Sequence, residues 1–225
     1  MRFLAFSLLL LGLPFGTAQA AGGAHVVDDS EVETPGTCHL ELWTTVFLLS
    51  DGYGNAAPAC TTLRMPWLEI GADYAHYWDE AIGAPLFGPQ MKVNFRSVTQ
   101  GLGLGLALNA NVNAKTGNFA LGQILALVTV QVTEKVRGNF NTGWSYLNNV
   151  PNPHAVFYGA QFEADLTTEF MLMIEGFGRN PGVAGGQIGL RYTPGQGRID
   201  FDLLAGGLLD APGTRTVTFG ITLRF

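Results

Sequence analysis

Apolar and polar residues alternate one by one along most of the chain. In LGLGLALNANVNA (102–114) every second residue is Leu, Ala or Val, with Gly, Ala or Asn between them. The last stretch, VTFGITLRF (217–225), keeps the same alternation up to its final residue, Phe225. Successive side chains of a β-strand point to opposite faces, so a period of two predicts strands with one apolar and one polar face.

Eleven segments of this kind can be delimited, and turn sequences such as NPGV, TPGQG and DAPGT separate them. The segments are 38–49, 67–78, 90–96, 102–114, 123–133, 138–146, 158–166, 172–178, 186–192, 198–204 and 217–225. No helical periodicity of useful length and no domain boundary interrupts the series. The pattern predicts an all-β chain, either as a large soluble domain or as a closed barrel.

The distribution of charge between the two faces favours the barrel. The polar faces of the segments carry the charged residues, and the apolar faces opposite them hold almost no charge. A charge that faces lipid costs roughly 2–4 kcal/mol at the bilayer centre, so the charged faces are expected inside. The polar residues predicted to line a lumen are Glu69, Asp73, Lys92, Arg96, Asn109, Asn111, Gln131, Glu163, Asp165, Glu175, Arg191, Asp200 and Asp202. The aromatic residues near strand ends, which suit interfacial girdles, are Trp67, Tyr77, Trp78, Phe119, Tyr146, Tyr158, Tyr192 and Phe225.

The strand count depends on one weak segment, GNAAPAC (54–60). Single-chain bacterial barrels use an even number of strands, so a twelfth is needed beside the eleven. With this segment included, Cys38 and Cys60 meet at the periplasmic end of the first hairpin, and an exported protein would join them in a disulfide. Pro58 argues for a bulge or an edge, so ten strands with an irregular start is the alternative.

The composition supports export and a membrane location. Residues 1–20 combine Arg2, an apolar core and the small residues AQA, as a secretory signal peptide does. The whole chain is 47% hydrophobic and only 13% charged, which is poor in charge for a soluble exported protein. Its formal charge is −6, and loss of Arg2 with the signal peptide makes it −7. Such an acidic chain is a poor candidate for nucleic-acid binding.

The signal peptide, the serial strands and the final Phe225 together resemble bacterial outer-membrane β-barrel proteins. The resemblance implies a single up-and-down barrel over 38–225 with short periplasmic turns, located in the outer-membrane lipid. It also implies that the terminal aromatic strand is a signal read by the barrel-insertion machinery. Segments 24–43 and 187–206 are similar to putative transporters of the MetA-pathway of phenol degradation group, whose acidic Asp-Asp segment matches Asp28 and Asp29.

We expect a passive outer-membrane channel or carrier for small molecules, with apolar or aromatic molecules as candidates. The alternatives are a structural or assembly barrel without transport activity and, less favoured, a lipid-modifying enzyme. The sequence contains no GxSxG or HExxH motif, so it predicts no catalytic residue, cofactor or metal site. Residues 21–37 form an N-terminal periplasmic segment, which either enters and gates the lumen or hangs free.

Overall fold

The computed structural model describes residues 24–48, 52–78, 84–148, 150–195, 197–209 and 214–225. Twelve strands in this part of the chain form one closed antiparallel barrel, in which sequence neighbours pair and the last strand pairs with the first. They are β1 (Cys38–Phe47), β2 (Gly52–Thr62), β3 (Met65–Tyr77), β4 (Leu86–Arg96), β5 (Leu102–Asn113), β6 (Phe119–Thr133), β7 (Val136–Leu147), β8 (His154–Asp165), β9 (Phe170–Asn180), β10 (Ala184–Tyr192), β11 (Ile199–Leu208) and β12 (Arg215–Arg224). The predicted barrel of twelve strands is confirmed, while the predicted signal peptide, 1–20, lies outside the described residues.

The weak segment 54–60 is a strand, since it lies within β2. Pro58 is tolerated there because it interrupts the pairing of β2 with β3 only, and the pairing with β1 is continuous. It takes its place opposite Leu40 in the ladder with β1. On the β3 side, the described pairs stop at Ala56 and resume at Ala59. Proline lacks the N–H that a ladder bond needs, and the pairing lapses at that point.

The first hairpin is joined covalently at its base. Cys38 and Cys60 lie directly opposite each other in the register of β1 and β2 and form a disulfide. The predicted position of the disulfide is therefore confirmed. Phe225 lies beside this hairpin, and Cys38 exchanges two backbone hydrogen bonds of 2.9 Å with it, where the barrel closes.

The outer face of the barrel is apolar between the strand ends. Ile70, Ile188 and Leu203 are about half exposed on this face, at 52%, 49% and 58%. Within the described strands, Asp, Glu, Lys and Arg residues point inward or lie at a strand end. A closed sheet satisfies its backbone hydrogen bonds internally, and with this outer surface it suits a lipid environment.

The buried side chains lie inside the barrel, and they are not all polar. Leu125, Leu127 and Phe157 form an apolar cluster on the inner wall. Tyr77, predicted for an interfacial girdle, packs instead against the buried Ala75–Leu86 cluster and stacks on Tyr53, with ring centroids 5.1 Å apart. The prediction for Tyr77 is wrong because alternation places it on the same face as Ala75. Among the described residues, no helix is long and apolar enough to span a membrane.

With twelve strands, β1 begins and β12 ends at the same rim, which we call the terminal rim; the other is the distal rim. The turns at the terminal rim are short, and they include 63–64, 134–135 and 166–169. One of them contains a 3₁₀ turn, Val98–Gln100. The short turns keep strands that are neighbours in sequence side by side. The candidate site is therefore sought in the lumen, which the inward side chains of all the strands surround.

Candidate functional site

Most of the predicted lumen residues lie inside the barrel. They come from strands all around the circumference, because the inward face of every strand carries polar groups. The residues buried in the lumen are Glu69, Asn111, Glu163, Glu175, Arg191, Asp200 and Asp202. Asp73, Lys92 and Asn109 line a lumen cavity.

Three predicted lumen residues lie at the terminal rim instead. Arg96 and Asp165 are the last residues of β4 and β8, and both are exposed. Gln131 is also exposed, two residues before the end of β6. Alternation assigns all three to the polar face, but their side chains are exposed at the rim, where Gln131 donates to the Thr133 carbonyl oxygen at 2.6 Å. The Arg96 guanidinium donates to the Gln100 carbonyl oxygen at 3.1 Å rather than pairing with Glu69 or Asp73.

Residues 24–37, which we call the lumen segment, occupy the half of the lumen next to the terminal rim. Val27, Asp29 and Ser30 of this segment are completely buried. The segment ends at Thr37, directly before β1, and the neighbouring Gly36 N–H donates to the Thr61 carbonyl oxygen at 2.7 Å. From there its contacts pass around the inner wall to β10, so the segment narrows the passage.

The wall holds the backbone of the lumen segment with side chains, in place of a strand partner. The N–H groups of Val26 and Val27 donate to the two Glu175 carboxylate oxygens at 3.1 and 2.9 Å. Asn141 accepts from the Asp28 N–H at 2.8 Å and donates to the Asp28 carbonyl oxygen at 2.7 Å. Buried backbone groups need partners, and these side chains supply them.

Further toward the terminal rim the contacts continue on other strands. The Ser30 N–H donates to Thr129 Oγ1 at 2.9 Å, on β6. The Glu31 carboxylate accepts from the Val98 N–H at 2.6 Å, at the 3₁₀ turn. The segment therefore touches successive strands in order rather than one site on the wall.

Ion pairs add to these hydrogen bonds. Lys92 contacts Asp28 at 2.7 Å and Asp29 at 3.9 Å. On the other side, Asp29 lies 3.5 Å from Arg137. Burial raises the pKa of the Asp28 carboxyl to about 7, and Lys92 opposes this shift. Lys92 faces Glu69 in the register of β3 and β4, but its short contacts are with the lumen segment.

The wall also contains ion pairs between its own strands, as alternation allows. Arg191 donates to both carboxylate oxygens of Asp202, at 2.7 and 2.9 Å. Arg224 bridges Asp200 at 2.8 Å and Glu33 of the lumen segment at 2.7 Å. Arginine forks of this kind fix the positions of carboxylates.

Glycines on the wall give the lumen segment its room. A Cβ built on Gly159 would lie 2.6 Å from Val27 Cγ2, and one on Gly103 would lie 2.2 Å from Ser30 Oγ. Such distances are far below van der Waals contact. The segment therefore approaches the wall closely at these two points because no side chain is present.

Beside the lumen segment remains a cavity of about 330 Å³. It extends along the inner faces of β1 to β6, and residues 24–28 close one side. Its lining includes the carboxylates Glu41, Glu69 and Asp73. Its aromatic lining comes from Trp43, Tyr53 and Tyr77.

Sequence reasoning missed the partners of the lumen segment. Arg137, Asn141 and Arg224 were not predicted as site residues, although alternation places each on a polar face. His25, in the lumen segment, was also not predicted as a site residue, and it lies 3.9 Å from both Glu175 and Asp202. Among the described residues, no three His, Cys, Asp or Glu side chains come together as metal ligands.

Comparison with known families gives one match, to a family described as uncharacterised conserved protein UCP029691, over residues 9–225. A search of curated proteins finds no match. The matched family is not the phenol-degradation group, so that narrower similarity remains a prediction.

Several solved structures have a similar fold. A KdgM porin superposes with a TM-score of 0.66 at 6% identity, covering 83% of this chain and 99% of the porin. A NanC porin gives a TM-score of 0.62 at 6% identity, covering 83% and 98%. A second KdgM structure, in complex with disordered oligogalacturonate, gives 0.61 at 7% identity, covering 84% and 99%. At these identities the likeness shows the fold, which is that of outer-membrane porins.

Proposed function

The chain belongs to the family of uncharacterised conserved protein UCP029691, and from its porin fold we propose that it is an outer-membrane channel for small molecules. The observation that carries this proposal is the lumen cavity of about 330 Å³ inside a closed barrel. A barrel of about eight strands is filled by its own side chains, whereas one of about 16 holds a water channel. Twelve strands leave a passage that one inserted segment can narrow.

We further propose that the molecules carried have an apolar or aromatic part. The lumen cavity has an apolar and aromatic patch in its lining, to which Leu86, Leu121, Leu125, Tyr53 and Tyr77 contribute. A lumen for wholly polar solutes gains nothing from such a patch. The similarity to the phenol-degradation group that the sequence predicts for residues 24–43, which include the lumen segment, would fit a transport role.

The lumen segment acts as the gate in this proposal. In the described part of the chain it is held mainly by side-chain hydrogen bonds and ion pairs, and its backbone hydrogen-bonds to β2 at Gly36 and Thr37, next to Cys38. Release of these contacts widens the passage without disturbing any strand ladder. The terminal rim would face the periplasm, so the gate opens from that side.

A removable crosslink tests the channel and the gate together. The double variant Val27→Cys/Gly159→Cys places two thiols within disulfide reach, because a Cβ at Gly159 lies against Val27. We expect the oxidised variant to have lower conductance in planar bilayers than the unmodified chain. Reduction should restore conductance, and the unmodified chain with the same reductant is the control.

The second candidate is a structural or assembly barrel without transport, which the filled half of the lumen favours. For this function, the locked, released and unmodified forms would all show neither conductance nor uptake of small solutes into liposomes. That result would remove the channel proposal. Equal, measurable conductance of the locked and released forms would leave the channel and remove the gate.

A further inference from the structure

We infer that the lumen cavity recognises small organic ammonium ions, with the charged group near Asp73 and an apolar or aromatic body toward the distal rim. The inference rests on the proposed function, since it names the class of molecule that the passage selects. Three features of the inner wall support it, namely its hydrogen-bonding groups, its charge and the order of its side chains.

The hydrogen-bonding groups around Asp73 are mostly acceptors. Asn111 donates through Nδ2 to Asp73, which fixes the orientation of its amide and leaves Oδ1 as the other end. Asn111 is only 1% exposed, and its Oδ1 has no hydrogen-bond partner among the described residues. Asn109 shows the same arrangement, since it donates to Gln123 and its Oδ1 is also unpartnered. Buried acceptors are normally paired with donors, so this part of the cavity favours a ligand that supplies N–H or O–H groups.

The charge of this region is negative. Glu41, Glu69 and Asp73 all line the cavity. The ammonium of Lys92, which also lines it, is engaged by Asp28 at 2.7 Å. A cationic donor therefore satisfies both the unpartnered oxygens and the carboxylates, whereas an anion meets repulsion.

The residues opposite these acids on the neighbouring strands are small. Ala57 lies opposite Glu41 in the ladder of β1 and β2. Gly88 lies opposite Asp73 in the ladder of β3 and β4. The opposing residues therefore add little bulk, and Glu41 and Asp73 both line the cavity that would take the ammonium group.

The next layers toward the distal rim are apolar and aromatic. Trp43 lies opposite Asn55, and the buried Ala75 and Leu86 continue this layer. One step further, Tyr53 stacks on Tyr77. A ligand whose ammonium group reaches Asp73 would place its apolar or aromatic body along these side chains.

Equilibrium binding to the folded, unmodified chain in detergent tests the inference, with three probes of one shape. We expect calorimetry to detect benzylammonium, to detect benzyl alcohol at least tenfold more weakly and to detect no benzoate. Asp73→Asn should weaken benzylammonium binding tenfold or more, and Asp73→Glu should restore part of it. Asp165→Asn, a neutralised acid at the terminal rim, is the matched control and should bind as the unmodified chain does.

Equal binding of benzoate and benzylammonium, or unchanged affinity in Asp73→Asn, would overturn the inference. Glu41→Gln provides a second variant in case Asp73→Asn does not fold, and heat-modifiable migration on gels reports folding. The measurement does not depend on conductance. A chain that binds benzylammonium but never conducts would refute the channel alone, and a conducting chain without binding would refute the ligand class alone.

Discussion

At the scale of single residues, Glu175 shows how an apolar-looking strand can carry a functional group. It lies in LMIEGFG (172–178), the segment with the least regular alternation, and is 4% exposed. Its two oxygens accept the Val26 and Val27 N–H groups, and it also accepts from Gln187. The carboxylate is buried because the backbone of the lumen segment replaces water around it.

Replacing Glu175 should release the first part of the lumen segment. Hydrogen bonds to charged groups contribute about 1.5–3 kcal/mol each, so Glu175→Ala removes the main anchor of the Val26 and Val27 backbone. We expect the Val26 and Val27 amides to exchange hydrogen at least tenfold faster, measured by mass spectrometry. Asp165→Asn, a rim carboxylate, should leave their exchange unchanged, and slow exchange in Glu175→Ala would contradict the assigned anchor.

A steric change should release the segment without altering any charge. Gly159→Val puts a branched side chain where Val27 now lies, and we expect higher open probability in single-channel recordings. Gly176→Val is the matched control, because a Cβ there meets only the Gly185 carbonyl oxygen, at 3.9 Å. If both variants gate alike, the contact at Gly159 does not hold the segment.

At the scale of elements, the first hairpin combines a strand with interrupted pairing, β2, and a disulfide that links it to β1. β2 contains Pro58 and loses part of its pairing with β3, yet the disulfide fixes its end to β1. The lumen segment ends directly before Cys38. The crosslink therefore secures both the irregular strand and the attachment point of the segment.

Loss of this disulfide should destabilise the barrel. Closing a loop with a sequence separation of 22 residues contributes about 3 kcal/mol in the chain-entropy treatment. Cys38→Ser/Cys60→Ser should lower the free energy of unfolding in urea by about that amount, followed by loss of heat-modifiable migration. The unmodified chain with reductant should match the double variant, and equal stability of oxidised and variant chains would exclude a structural role.

The strands could be predicted from the sequence more completely than the site could. The strands follow from a period of two, which depends only on neighbouring residues, and even β2 follows from parity and Cys60. The path of the lumen segment does not, because residues 24–37 have no period. Their side-chain partners on the strands lie far away in sequence, from 36 residues for Glu33 and Glu69 to 191 for Glu33 and Arg224.

At the scale of the whole molecule, charge is sorted between the inside and the outside. Acidic side chains predominate around the lumen cavity, where Glu41, Glu69 and Asp73 meet Lys92, whose charge Asp28 offsets. The outer face holds Ile188 and similar residues. This separation predicts both which ions pass and which substitutions the membrane tolerates.

The open channel should prefer cations. In a KCl gradient across a planar bilayer, we expect a reversal potential on the cation-selective side, because the carboxylates attract K⁺ and repel Cl⁻. The double variant Glu41→Gln/Asp73→Asn should move the potential toward zero. Asp165→Asn should change it little, and anion selectivity of the unmodified chain would contradict the assignment of the cavity charge.

A charge on the outer face should destabilise the barrel in lipid. Ile188 is in the middle of β10 and 49% exposed, so Ile188→Arg should cost roughly 2–4 kcal/mol of unfolding free energy in bilayers. Ile188→Leu is the control and should unfold as the unmodified chain does. An equally stable Arg variant would mean that this face does not contact hydrocarbon.

The hoop-like course of the lumen segment bears on the order of assembly. Its receptor is composite: Ala24 accepts from Gln187 on β10, and Glu33 pairs with Arg224 on β12. These positions come together only once the final strand has zipped onto the first. The lumen segment can therefore take up its full set of contacts only after the barrel has closed. In a barrel that has not closed, residues 24–37 would lack part of these contacts and would be more accessible to proteases.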